Sequence, residues 1–198
     1  MAQEHTFASP GPAGLAALAV ACFGFAAVFL GKVAVEGLPL LAAWLVGAGI
    51  VQYTTAVMEL KDHNITGGNV FLFFASFFCF AASLSVFAKF MMIKFGMKPA
   101  VVVEGWMWVA GAAFLTVVTP AYGKSNAMMF ILVLIVDVVL WMLVGMDTGW
   151  YGDPAVLKPA AGWMLAVTGV IALYLSGAFV CNTVYGKAIY WMPKPLVK

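Results

Sequence analysis

The stretch SPGPAGLAALAVACFGFAAVFLG, residues 9–31, joins a short segment rich in proline and glycine to a long apolar run. Pro10, Gly11 and Pro12 stand at its start, and no charged residue follows before Lys32. A proline in the first turn of a helix leaves no N–H group without a partner, so Pro12 indicates a helix start. The run behind it is long enough to cross a bilayer as a helix. The stretch therefore predicts a membrane-spanning helix that begins at the proline–glycine break.

The composition extends this prediction to the whole chain. Of 198 residues, 65% are apolar and 9% are charged, which is more apolar surface than a soluble domain of this size can bury in one core. Apolar segments that can each span a bilayer occupy residues 11–31, 38–60, 69–93, 99–119, 126–146 and 159–184. We predict an all-α integral membrane protein, a single domain over residues 1–198 with six transmembrane helices and both termini on the same side.

Small residues recur within these segments and predict a tightly packed bundle, because they let helix backbones approach closely. The glycines concerned are Gly24, Gly47, Gly49, Gly111, Gly162, Gly169 and Gly177.

Lysine supplies all the positive side-chain charge, and it is divided almost evenly between the two predicted faces. The face with the termini collects Lys61, Lys124, Lys187, Lys194 and Lys198, and the other has Lys32, Lys94, Lys98 and Lys158. Because three of these lysines lie in the C-terminal tail, we expect the termini in the cytoplasm and the chain in the inner or plasma membrane of the cell.

Ionisable residues inside a membrane are costly and indicate function by default. Glu59 ends the second predicted helix, which is also compatible with a solvated helix end. Lys89 can extend to the membrane surface, and Glu104 can favour the positive end of its helix dipole. Asp137 lies in mid-helix, where a buried, protonated or Lys-paired carboxyl group and a proton relay are both open. Cys79, like Cys22 and Cys181, is interpreted as a small core residue.

The break at residues 9–12 allows two interpretations. A helix N-terminus presents free N–H groups and partial positive charge to an anion. Alternatively, Ser9 simply caps the helix and the prolines stiffen its start.

Three sequence blocks resemble the acetate uptake transporter family, the succinate-acetate permeases. SPGPAGL resembles the family signature Asn-Pro-Ala-Pro-Leu-Gly-Leu and matches it at Pro10, Pro12, Gly14 and Leu15. GIVQYTTAVMEL, residues 49–60, is similar to the family's second helix and carries Gln52 and Glu59. AGWMLAVTGVIALYL with NTVYGK, within residues 161–187, resembles the last helix. The chain departs from the pattern at Ser9, at residues 63–67 and at Phe179, where the family has Asn, a Gly-Asn-Thr-Phe-Gly block and Glu.

The resemblance implies a hexamer in which each six-helix subunit has its own narrow pathway for small monocarboxylates and sometimes succinate. It places a hydrophobic constriction at Leu18, Phe74 and Leu134. The backbone of residues 9–15 would face the permeant, with side-chain donors farther along the chain. The implied pathway residues are Ser9, Pro10, Gly11, Pro12, Gly14, Leu15, Tyr174 and Asn182.

The mechanism expected from these residues couples the carboxylate to a proton. The chain has no Arg, and no motif places a Lys on the pathway. An unpaired carboxylate crossing an apolar constriction loses several kcal/mol in desolvation, whereas protonating an acid of pKa about 4.5 at pH 7 costs roughly 3.4 kcal/mol. We therefore expect acetate with a proton, or acetic acid, to permeate. Glu59, His63 and Asp137 are the candidates for a proton or pH role.

Other functions remain open. A channel for urea or small amides also needs only hydrogen-bonding groups and a narrow pore, and a non-transporting membrane assembly subunit would use the phenylalanines at 71–80 for packing. An enzyme is not expected, because the sequence has no nucleophile–base pair, metal-ligand cluster or phosphate loop. No cofactor, metal or nucleic-acid partner is expected.

Overall fold

The computed structural model describes residues 8–197, and its architecture is a bundle of six long helices. They are α1 (Gly11–Phe29), α2 (Leu38–Lys61), α3 (Ile65–Lys94), α4 (Val102–Val118), α5 (Ala127–Thr148) and α6 (Pro154–Tyr185). Each is long and apolar enough to cross a membrane. The chain is thus an all-helical, multi-pass membrane protein, which confirms the predicted fold class.

Irregular helical geometry occurs at three places. Short 3₁₀ segments precede α2 at Val35–Gly37 and follow α4 at Thr119–Lys124. Within α3, Phe74–Ala81 forms a π-helical segment. Such segments are uncommon and are found frequently at functional sites. This one begins at Phe74, which the family resemblance places at the predicted constriction.

Several helix ends have local signals that the sequence carries. Asn64, Asn126 and Asp153 cap α3, α5 and α6, since each side chain accepts a hydrogen bond from a backbone N–H in the first turn. Gly149 and Gly186 end α5 and α6 in the left-handed conformation, with φ of 70° and 62°. Glycine adopts this conformation without the steric penalty of a Cβ atom.

The six helices form a closed ring. Helices that follow each other in the chain pack side by side, and α6 returns to pack against α1. The contact between α3 and α4 is made by side chains: the rings of Phe73 and Phe114 stack with centroids 4.8 Å apart, and Lys89 pairs with Glu104. The ring therefore encloses a space between the helices.

Both ends of the described chain lie at one face of the ring. Ser176 in the C-terminal part of α6 donates a hydrogen bond of 2.7 Å to the carbonyl of Pro12 in the first turn of α1. We call this the terminal face; it consists of the start of α1, the α2–α3 turn, the α4–α5 connection and the chain after Tyr185. The predicted common side of the termini corresponds to this face, and Lys198 lies outside the described residues.

Glu104 and Lys89 pair with each other near the opposite face. Glu104 lies in the first turn of α4, and its second carboxylate oxygen accepts a hydrogen bond from Ser85 on α3. The sequence suggested separate explanations for the two charges, namely a helix dipole and extension to the surface. Their pairing links α3 to α4.

Asp137 also lies away from the enclosed space, at the contact between α4 and α5. It is 8% exposed, and its Oδ1 accepts a hydrogen bond of 2.8 Å from Thr116 Oγ1. Trp141 Nε1 donates to the same hydroxyl at 3.0 Å. Of the two roles left open, this geometry favours a buried carboxyl group that joins two helices.

We expect close helix packing to make Gly105→Ala destabilising. A Cβ atom at Gly105 would lie 2.9 Å from the backbone N of Thr148 and 2.6 Å from its Cγ2, so α4 and α5 would have to separate. Overpacking of this kind costs about 1–3 kcal/mol, which corresponds to a fall of roughly 2–10 °C in thermal midpoint for a chain of this size. Thermal unfolding of the detergent-purified protein measures it.

The matched control is Gly177→Ala, because a Cβ atom at Gly177 meets nothing within 4 Å. Its midpoint should stay within about 2 °C of the unsubstituted protein or rise slightly, since alanine favours helix. Equal midpoints for the two variants would contradict the packing argument.

Candidate functional site

A cavity of about 760 Å³ lies inside the ring and reaches the terminal face. Its wall at that face includes the exposed residues Ser9, His63 and Lys194. Side chains from all six helices contribute to it, together with the chain that follows α6. The cavity is therefore enclosed by the whole bundle and open at one face.

The inner end of the cavity is apolar. Leu18 and Phe74, two of the three residues predicted for a constriction, both line it and are buried. The other apolar residues of this floor are Leu115, Leu132, Val133 and Val136.

Leu134, the third residue predicted for the constriction, does not line the cavity. It is 44% exposed on the outer surface of α5, whereas Val133 and Val136 face inward. Successive residues of a helix are turned by about 100°, so a shift of one position in the alignment changes which side chain is expected to face the cavity. Val133 and Val136 line the cavity where Leu134 was expected.

The carboxylate of Glu59 lies against the start of α1. Ser9 Oγ donates to Glu59 Oε1 at 3.5 Å and accepts from the N–H of Gly11 at 3.4 Å. A Cβ atom on Gly11 would lie only 3.1 Å from that same carboxylate oxygen. Glu59 therefore lies at the positive end of the helix dipole.

The backbone N–H groups of this first turn also have partners. Those of Ala13 and Gly14 donate to the carbonyl of Pro10, and Pro12 has none to offer. The structure thus does not leave free N–H groups for a substrate, contrary to the anion-binding interpretation of residues 9–15. The break in the backbone instead brings Ser9 and the helix end against Glu59.

The predicted residues of this segment separate into two groups. Ser9, Gly11, Pro12 and Leu15 line the cavity, whereas Pro10 and Gly14 are absent from its wall. A Cβ atom on Gly14 would come within 2.8 Å of side-chain atoms of Phe71 and Thr55, so this glycine serves helix packing.

Glu59 is also tied to the α2–α3 turn. It is 6% exposed, lines the cavity, and accepts a hydrogen bond from Asn64 Nδ2 at its second oxygen. His63 in the same turn lines the cavity and adopts a positive φ of 62°. Two of the three proton candidates therefore lie at the mouth, and Asp137 is outside the wall.

Tyr174 and Asn182, predicted to donate to a permeant, donate to the C-terminal tail instead. Tyr174 Oη donates to the carbonyl of Trp191 at 2.7 Å. Asn182 Nδ2 donates to the carbonyl of Tyr190, and its Oδ1 accepts from the N–H groups of Ile189 and Tyr190. Neither side chain lines the cavity. Their hydrogen-bonding groups are used to position the tail.

The tail forms one side of the cavity mouth and brings a lysine into it. Residues 192–195 line the wall, and the carbonyl of Lys194 accepts from the N–H of Ala127. Beyond it, Leu196 and Val197 donate to the carbonyl of Gly123. Lys194 was missed as a pathway residue because nothing local in the sequence shows that the chain after α6 folds back over the ring.

Gln52 is the second residue that sequence reasoning left without a role. It lies on α2, is 0% exposed and lines the cavity. Its Oε1 accepts a hydrogen bond from Cys79 Sγ at 3.7 Å, and within residues 8–197 its Nε2 is the buried side-chain polar atom without a partner. The available signal was a polar side chain between apolar neighbours.

Comparison with known proteins was made for the whole chain. Residues 1–194 match the family described as the GPR1/FUN34/yaaH family. The chain belongs to this family. The motif-based family prediction is thereby confirmed. No curated protein sequence matched significantly.

The fold of this GPR1/FUN34/yaaH family member is similar to a solved structure described as the bacterial acetate channel SatP. The TM-score is 0.80 at 22% sequence identity, over 94% of this chain and 99% of that one. This likeness establishes that the six-helix fold is shared.

All three departures from the expected family pattern contribute to the cavity wall, at Ser9, in the block at residues 63–67 and at Phe179. Ser9 donates a hydrogen bond to Glu59 through a hydroxyl that is shorter than the amide expected there. Phe179 puts an aromatic ring where a carboxylate is expected. In this family member the wall on the α6 side is accordingly less acidic.

We expect Asn182→Ala to release the tail, because it removes three hydrogen bonds to residues 189–190. Amide hydrogen exchange should accelerate at least about tenfold for the Ile189 and Tyr190 N–H groups, in proportion to the free energy of local opening. Hydrogen exchange with mass spectrometry on the detergent-purified protein measures it.

Tyr174→Phe is the graded control, since it removes a single hydrogen bond to the tail. Its amide exchange at Ile189 and Tyr190 should be faster than in the unsubstituted protein and slower than in Asn182→Ala. Unchanged exchange in Asn182→Ala would show that the tail is held by other contacts.

Proposed function

We propose that the protein is a membrane channel or transporter for small monocarboxylates, with acetate as the first candidate and formate, propionate and succinate as further ones. The observation that carries the proposal is a cavity with a polar mouth and an apolar floor, enclosed by one six-helix subunit of this family. The similar solved structure is described as an acetate channel, which supports the same substrate class.

The mouth offers both signs of charge to an arriving carboxylate. Lys194 is exposed in the wall, and His63 lies in it as well. The acidic residues of the wall are Glu59 and the buried Asp62. Glu59 is turned toward Ser9, Asn64 and the start of α1, so its charge is partly compensated. The anion is therefore attracted on the side of the tail.

The floor favours a neutral permeant. Leu18, Phe74 and the other apolar side chains of the floor offer no charge to a carboxylate, and desolvation of an unpaired ion there costs several kcal/mol. Protonation at pH 7 costs roughly 3.4 kcal/mol for an acid of pKa about 4.5. We infer that acetate meets its proton in the mouth and crosses the floor as acetic acid, with His63 and Glu59 as candidate proton carriers.

The setting of this activity is part of the proposal. We place the chain in the inner or plasma membrane with the terminal face toward the cytoplasm, so that the mouth opens to the cytoplasm. The hexamer implied by the family resemblance and the coupling to protons stay predictions. We propose transport alone as the activity, without an enzymatic reaction.

Labelled acetate uptake into liposomes that contain the purified protein tests the proposal. We expect uptake above that of protein-free liposomes, which corrects for acetic acid crossing the lipid, and a further increase with an inward proton gradient. Uptake that ignores the gradient would remove proton coupling and leave a passive anion channel.

The same liposomes separate the alternative functions. Uptake of labelled urea without uptake of acetate would favour an amide channel, which the uncharged floor also permits. Liposomes that take up neither solute, with protein that is folded and inserted, would favour an assembly subunit.

We expect Lys194→Gln to weaken acetate uptake by removing the attracting charge. The half-saturating acetate concentration should rise about two- to fivefold at low salt, as for an interaction of roughly 0.5–1 kcal/mol between exposed charges. The difference should fall when ionic strength is raised from about 0.01 M to about 1 M, because the Debye length shortens from roughly 30 Å to 3 Å.

Lys187→Gln is the matched control, since this lysine belongs to the same tail region but not to the cavity wall. It should leave uptake unchanged at both ionic strengths. Equal effects of the two substitutions would mean that overall charge, and not the position of Lys194, controls uptake.

A further inference from the structure

The Gln52 side chain lies in the cavity wall well below the charged mouth, at the level of the apolar floor. Gln52 lies seven residues before Glu59 on α2, which places it about 10 Å deeper along the helix axis. The floor residues Leu18 and Phe74 line the same cavity. A solute that reaches the floor therefore comes to the level of this amide.

The amide is only half satisfied by the protein. Gln52 is 0% exposed, yet within the described chain its Nε2 has no hydrogen-bond partner. Buried polar groups are almost always paired, and leaving one unpaired is destabilising. Because Gln52 belongs to the cavity wall, a solute in the cavity is the candidate partner for this donor.

The amide oxygen of Gln52 faces a neighbouring thiol. Cys79 Sγ on α3 donates to Gln52 Oε1 at 3.7 Å. A neutral thiol can donate to the carbonyl oxygen of the amide, and this contact is compatible with the orientation in which Oε1 faces Cys79 and Nε2 is left without a partner in the protein. Cys79 is 0% exposed and does not line the cavity, so it acts only through Gln52.

We propose that the Nε2 group of Gln52, positioned by Cys79, is the hydrogen-bond donor that receives a carboxyl oxygen of the permeant as the permeant leaves water. This inference rests on the proposed function and names the residue that recognises the substrate class. An N–H donor suits a carboxylate and the carbonyl oxygen of the protonated acid equally, so it serves both before and after protonation. A neutral donor also avoids the trapping that a buried cation would cause.

Gln52→Leu tests the donor directly. It keeps a similar volume and removes both amide groups, and we expect acetate uptake per inserted protein to fall at least about tenfold, as for a lost hydrogen bond to a charged group. The matched control is Thr168→Val, which removes a hydroxyl from a residue that is equally buried but outside the cavity wall. Its uptake should stay within about twofold of the unsubstituted protein.

Gln52→Glu separates the donor from the shape of the side chain. The carboxylate keeps the size but repels an anion, so uptake at neutral pH should fall at least as far as in Gln52→Leu. At acidic pH the protonated Glu regains an O–H donor, and uptake relative to the unsubstituted protein should recover. A purely structural role of Gln52 would show no such recovery.

Substitutions of Cys79 test whether it positions the Gln52 amide, while Gln52 itself stays unchanged. Cys79→Ala removes the hydrogen bond that orients the amide, and we expect uptake to fall about two- to tenfold. Cys79→Ser restores a donor at the same place and should restore most of the uptake. Equal uptake in the two variants would overturn the role of Cys79.

The outcomes distinguish this inference from the function on which it rests. If the unsubstituted protein carries no acetate, the proposed function fails and the inference fails with it. If the unsubstituted protein and Gln52→Leu carry acetate equally, the inference alone is overturned. Thermal midpoints of all variants show which are folded, and if Gln52→Leu does not fold, Gln52→Glu and the Cys79 pair decide the question.

Discussion

A membrane offers no water to polar groups, and this constraint orders the whole molecule, because each such group needs a partner within the protein or a place in a cavity. Glu59 illustrates it best. Its carboxylate contacts Ser9 at the start of α1 and Asn64 in the α2–α3 turn, so one buried charge links three helices. The same requirement pairs Lys89 with Glu104 and Asp137 with Thr116 at contacts between helices.

The division of polar groups between contacts and cavity has a consequence for transport. The charged side chains that join helices have ion-pair or hydrogen-bond partners there and are not among the floor residues of the cavity. The groups that remain for a solute are the mouth, with Lys194 and His63, and the open amide of Gln52. Under the proposed function, attraction belongs to the mouth and loss of water to the floor, and a small acid would change from an ion to a neutral molecule between them.

Much of the fold was predictable, and less of the site. The six spans follow from runs of apolar residues, and the buried Leu18 and Phe74 were found by resemblance to a family. Leu134 was misplaced because a shift of one position turns a helical side chain by about 100°. Tyr174 and Asn182 were read as donors to a substrate, since sequence shows that a donor exists but not which acceptor comes near. Here the acceptors belong to residues 190–191, which are close in sequence to α6 but reach these side chains only after a reversal of the chain.

The sequence by itself determined a membrane protein of six helices, the capping residues that begin several of them, and membership of its family, because hydropathy, helix capping and motifs are local properties of the chain. Only the tertiary structure decided which polar groups face the cavity. Glu59 and the start of α1 are 45 or more residues apart, as are Lys194 and the wall it joins at Ala127. Gln52 on α2 and Cys79 on α3 also contact each other only in the folded bundle. Such pairings arise from how helices are rotated and stacked against each other, and that rotation depends on the packing of the entire ring.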